Sequence, residues 1–166
     1  MAFRREVFPG VDGPVYKGGS NREGVKPVSA IDDILADFDV IEDWEERYRY
    51  VIELGKGLAP LPEADHTEAN KVRGCASQVW LTTRVEPSAD GPRLHFAGDS
   101  DAHIVKGLVA IMIAIFSDHT AEEILAIDPE PIFTAISLRD HITPQRANGV
   151  NAMIDRIRTE ARAALA

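Results

Sequence analysis

The sequence predicts a mixed α+β domain in which three short antiparallel strands are covered by helices. Residues 78–85 alternate with a period of 2, with Val79, Leu81, Thr83 and Val85 on one side and Trp80, Thr82 and Arg84 on the other. Asp90-Gly91 then supplies a turn, after which Leu94 and Phe96 resume the alternation. The flanking segments have a period near 3.6 instead, and residues 104–116 are apolar almost throughout, as a helix buried on all sides requires.

Residues 1–28 mix Gly, Pro and charge without either period, and are expected to form a flexible arm or docked extension, leaving 29–166 as the domain. Ser29, three residues before Asp32, can cap a helix with Ile31, Ile34, Leu35 and Phe38 on one face. Asp43 with Glu46 starts a second helix carrying Trp44, Tyr48, Val51 and Ile52, closed by Gly55 or Gly57 before Pro60. Lys71-Val72-Arg73 reads as a brief extended piece, the third strand, before Gly74-Cys75-Ala76 breaks it. Asp99 or Ser100 is the expected cap of the central helix. Thr120 with Glu123 forms a capping box, and residues 131–137 can form another short helix. The last helix has Thr143 as cap, Pro144 in its first position and a stripe of Val150, Met153, Ile154, Ile157 and Ala161.

The chain has 166 residues, 45% of them hydrophobic, with 18 Lys and Arg against 27 Asp and Glu. A chain of this length buries roughly two thirds of the surface its unfolded form exposes, so one core suffices without a metal or disulfide staple. The net charge of −9 repels a phosphate backbone, and no basic stripe interrupts it, so nucleic acid is not an expected partner. The longest apolar run contains Lys106 and falls well short of the ~20 residues of a bilayer span, which argues against a membrane partner. No apolar segment follows the first basic residues, so a cytoplasmic protein is expected.

Cys75 is the single cysteine, which excludes an intrachain disulfide and any paired-cysteine zinc or redox motif. A lone cysteine is commonly a small buried hydrophobe. This one follows a glycine in a break between extended segments, where the backbone can present a side chain at a tip. A reactive thiol needs nearby positive charge or hydrogen-bond donors, and Lys71 and Arg73 are the local candidates. His66, His95, His103, His119 and His141 offer bases for a Cys-His hydrolase or transferase, although surface positions explain them equally well. No metal or nucleotide motif is present: H-E-x-x-H is absent, and Gly55-Lys56-Gly57-Leu58 lacks the Ser or Thr that follows the lysine of a P-loop. Arg146 falls in the first turn of the last helix, where its charge opposes the helix dipole, and is ordinarily a solvated residue.

The string NKVRGCASQVW over residues 70–80 closely resembles the cysteine motif of the SufE family of sulfur acceptors. WEERY at 44–48 with IELGK at 52–56 resembles the family's upstream helix, and GDSDA at 98–102 with IVKGL at 104–108 resembles its central helix entry. ITPQR at 142–146, continuing through Asn148-Gly149 and Ala152-Met153, is similar too. Ala76 departs from the pattern, since many members carry Gln there, and the first 28 residues extend beyond the usual core.

The resemblance implies a two-layer α+β fold of the SufE/IscU (NifU-like) type. It also implies that Cys75 accepts persulfide sulfur from a pyridoxal-phosphate cysteine desulfurase, stimulates that enzyme, and passes the sulfur to an Fe–S scaffold complex. Such a protein is a carrier and activator, not a stand-alone enzyme, holds no cofactor or metal, and acts as a monomer or weak homodimer. In the family the resting cysteine turns into an apolar cavity, here expected between Trp80 and the central helix. Gly74, Ser77 and Gln78 would shape its loop, Asp101 would combine helix capping with loop control, and Arg146 would contact the desulfurase or orient the loop. The rival readings are the Cys-His hydrolase or transferase, and a binding module whose cysteine is inert.

Overall fold

The computed structural model describes residues 30–166; the expected arm at 1–28 and the cap at Ser29 lie outside the described residues. The order is α1 (Ala30–Val40), α2 (Trp44–Lys56), a short 3-10 turn (Glu63–Asp65), β1 (Val79–Glu86), β2 (Arg93–Ser100), α3 (His103–Phe116), β3 (His119–Thr120), α4 (Ala121–Ala126), α5 (Glu130–Ala135) and α6 (Pro144–Leu165). This is the α+β arrangement expected, with a three-stranded sheet in the order β1-β2-β3.

β1 and β2 pair antiparallel from Val79↔Ser100 to Glu86↔Arg93, which turns Val79, Leu81, Leu94 and Phe96 onto the core face. The third strand differs from expectation. It is β3, whose His119 and Thr120 pair with Leu94 and Arg93 of β2. Asp118, at φ 63°, turns the chain directly after α3 and brings it back beside the strand that precedes that helix. Residues 71–73 make only an isolated bridge, Lys71 to Trp80, because Gly74 at φ +96° diverts the chain before a ladder can extend.

α3 is the centre of the molecule. Leu108, Val109, Ile111 and Met112 point in successive directions around it and all are buried. β2 covers one side, and α1, α2 and α6 cover the others. α2 crosses it with the two backbones in direct contact: a Cβ on Gly107 would lie 2.1 Å from the Val51 carbonyl oxygen, and one on Gly55 would lie 2.6 Å from the Gly107 nitrogen.

Two caps form as expected. Thr120 and Glu123 complete a reciprocal capping box, and Thr143 Oγ1 accepts from the Arg146 N–H with Pro144 in the first turn. Asp43 precedes α2 but makes no side-chain cap bond. The cap expected of Asp99 or Ser100 does not form, because β2 runs through Ser100 and α3 starts at His103 behind Ala102. No helix among the described residues is long and apolar enough to cross a membrane.

Candidate functional site

Cys75 sits on a loop with a hydrogen-bonded neck. The Leu81 N–H donates to Asn70 O and the Val72 N–H to Val79 O, both at 2.8 Å, so residues 73–78 project from the end of β1. The outgoing side of the neck is held by α6: Arg156 Nη2 donates to Ala69 O at 2.8 Å, and its Nε is oriented by Glu160 at 2.9 Å. The returning side is held at Gln78. Its N–H donates to Asp101 Oδ1 at 3.0 Å, while its carbonyl accepts from Ser100 Oγ at 2.7 Å and from the Asp101 N–H at 3.3 Å.

Asp101 thus serves the cysteine loop and not the helix cap. Trp80 is not a wall of the thiol's cavity; strand alternation turns it to the other face, where His66 meets its ring edge-on at 4.6 Å between centroids.

Between these two anchors the thiol turns inward. Cys75 is half-buried against the core, and its Sγ donates to Gly149 O at 3.7 Å. The cavity beside it is about 20 Å³, enough for one water-sized body. Val105 and Leu108 of α3 form its floor, and Gly149, Met153 and Arg146 of α6 form its side. Gly149 packs directly against the sulfur: a Cβ there would stand 3.4 Å from Sγ, at the near edge of ordinary van der Waals contact. Burial pushes the Cys75 thiol above its usual pKa and so favours its protonated form. Lys71 and Arg73 do not serve as its activators; they line a separate groove.

The structure brings Cys75, Ser77 and Arg146 to one cavity, with Gly74, Gln78 and Asp101 as the loop's turn and anchors. Arg146 is half-buried, and among the described residues its guanidinium has no hydrogen-bond or ion-pair partner. No histidine lines the cavity. His66 bonds Asp99, His95 bonds Glu86, His119 bonds Glu123, and His141 bonds Ser137 O while stacking on Trp44. The geometry required of a Cys-His hydrolase is therefore not present at the thiol.

Sequence reasoning passed over two contributors. Nothing local to Arg156 in the sequence indicates that it reaches two carbonyls some 85 residues away. Asp99 also does more than a cap would. Burial raises its pKa, but bonds from His66 and the Ser100 N–H together with Lys106 outweigh this and hold the carboxyl below its usual value. Among the described residues no group of three or more His, Cys, Asp or Glu side chains could hold a metal ion.

Residues 32–161 match the family model described as SufE, Fe-S metabolism associated domain. The chain is 54% identical over 134 residues to an uncharacterized SufE-like protein of Rhizobium meliloti, covering 81% of this chain and 96% of that protein. A second uncharacterized SufE-like protein, from Rhizobium etli, is 51% identical over 135 residues, covering 81% of this chain and 91% of that one. The solution structure of a hypothetical protein from Thermus thermophilus has the same fold, with a TM-score of 0.62 at 24% identity over 81% of this chain and 95% of its own. By the family match over most of its length and by these relatives, the chain belongs to the SufE family, whose domain is associated with Fe–S metabolism.

Proposed function

We propose that this protein is a sulfur acceptor: Cys75 takes the terminal sulfur of a persulfide held by a pyridoxal-phosphate cysteine desulfurase and carries it to an Fe–S scaffold complex in the cytoplasm. The observation that carries this reading is the resting state of Cys75, a half-buried thiol turned in beside a small cavity with no histidine in its lining, on a loop held by a few hydrogen bonds. A stand-alone nucleophile needs a base beside it; a carrier needs a thiol that is quiet until its donor arrives.

In the transfer step the Cys75 thiolate attacks the terminal sulfur of the donor persulfide. A new S–S bond forms at Cys75, the donor's S–S bond breaks, and its electron pair leaves on the donor cysteine as a thiolate. No net oxidation occurs. The thiol must leave the cavity to reach a sulfur on another protein, so docking has to release the loop and let solvent and donor groups favour the thiolate. Gly74 allows that swing, and with no second cysteine in the chain the resulting persulfide has no internal thiol to resolve it.

The test is intact-protein mass after mixing with a cysteine desulfurase from the same source, pyridoxal phosphate and L-cysteine. Wild type is expected to gain the mass of one sulfur atom, reversibly with reductant, and to accelerate desulfurase turnover; Cys75→Ser is expected to gain nothing. Wild type that stays unmodified and leaves turnover unchanged would overturn the proposal.

A further inference from the structure

Next to the cysteine loop lies a second and larger depression, an open groove of about 310 Å³ lined by Glu68, Lys71, Arg73, Ala152 and Arg156. It adjoins the thiol site along α6. Gly149 touches the sulfur, Ala152 lies 3.3 Å from where a Cβ on Gly74 would stand, and Arg156 follows one turn later. Three cations therefore converge on the root of the loop in a protein of net charge −9.

Among the described residues their local compensation is incomplete. Arg156 is matched by Glu160 at 2.9 Å. Lys71 and Arg73 share the single carboxylate of Glu68, at 4.0 and 3.7 Å, both too long for a hydrogen bond, and Glu68 and Arg73 are largely in solvent. The groove keeps a positive surplus, and its main-chain framework at residues 69–71 is already ordered by Arg156.

We propose that this groove receives an acidic segment of the protein that loads Cys75, so that carboxylates of the donor pair with Lys71 and Arg73 while Cys75 swings towards the donor's persulfide. The inference rests on the sulfur-acceptor reading above and adds where the partner is held. Charge complementarity favours this occupant. A shallow open trough with two cations free to re-pair suits an extended run of Asp and Glu, and it gives an acidic protein one local patch through which another acidic surface can be steered. Contact at Arg73 falls within two residues of Cys75 on the same loop, so docking and release of the thiol are mechanically joined.

The test compares the affinity of wild type, Lys71→Glu/Arg73→Glu and the remote control Arg49→Glu for a cysteine desulfurase of the same source, at low and high salt. The paired reversal is expected to weaken binding about tenfold at low salt, chiefly through slower association, with the difference shrinking as salt rises. The control is expected to stay within about twofold of wild type. At saturating desulfurase, Cys75 of the paired variant is expected to gain its sulfur atom more slowly than wild type, because the contact that joins docking to release of the thiol is weakened. If thermal melting shows that the reversal harms the fold, Lys71→Gln/Arg73→Gln is expected to give a smaller loss of the same salt-dependent kind. Loading of wild type together with groove variants that bind as tightly as the control would overturn the groove alone. Absence of both loading and binding in wild type would overturn the acceptor reading, and the groove with it.

Discussion

The sulfur of Cys75 rests against the backbone of Gly149, 3.7 Å from its carbonyl oxygen, across 74 residues of sequence. A glycine in the middle of a helix sacrifices up to about 1 kcal/mol relative to alanine. Here the thiol lies against the bare backbone of α6; a Cβ at this position would already be in van der Waals contact with Sγ at 3.4 Å, and a branched side chain would reach further into the cavity.

Gly149→Val is therefore expected to fill the cavity and drive the thiol out. Alkylation of Cys75 at neutral pH should accelerate several-fold over wild type, with a stability loss of about 1–3 kcal/mol from overpacking against Met153 and Leu108. Alkylation kinetics and urea unfolding measured on the same preparation check both. An unchanged alkylation rate would mean that the cavity does not control access to the sulfur.

Asp101 anchors the returning side of the loop by accepting the Gln78 N–H. Asp101→Ala is expected to lower stability by about 1 kcal/mol and to increase both alkylation of Cys75 and hydrogen exchange at residues 74–78. Asp101→Asn keeps an acceptor oxygen and should lie close to wild type. Equal behaviour of the two variants would assign the effect to charge and not to the hydrogen bond.

The raised pKa of Cys75 has a definite sign. The folded protein binds the thiol proton more tightly than the unfolded chain does, so this contribution to stability is fully present below the unfolded value of about 8.5 and is lost as pH rises through the folded value. Wild type is expected to lose stability more steeply than Cys75→Ser between neutral and alkaline pH. The midpoint of its alkylation rate should lie above that of a free cysteine. Denaturant titrations across the alkaline range and a pH–rate profile measure the two quantities.

The crossing of α2 and α3 admits no side chain at Gly107, where a Cβ would stand 2.1 Å from the Val51 carbonyl oxygen. Gly107→Ala is expected to cost about 3 kcal/mol or more, because backbone and not a pliable side chain must move. Thermal melting reads the effect. A change below about 1 kcal/mol would show that the two helices separate without penalty.

The features legible in the chain alone are local ones. The period-2 runs at β1 and β2, the all-apolar α3, the caps at Thr120 and Thr143 and the singular Cys75 are each visible within a dozen residues, since alternation and capping are set by a segment's own backbone. Whatever depends on a partner distant in the chain emerged only on folding. β2 pairs with His119-Thr120 and not with residues 71–73, and Asp101 reaches back 23 residues to Gln78. The thiol is half-buried against Gly149 of the last helix, and Lys71 and Arg73 meet Arg156 in a groove instead of facing the sulfur. Periodicity tells a residue which way it faces from its own axis; which atoms wait on that side is settled only when the layers close around α3.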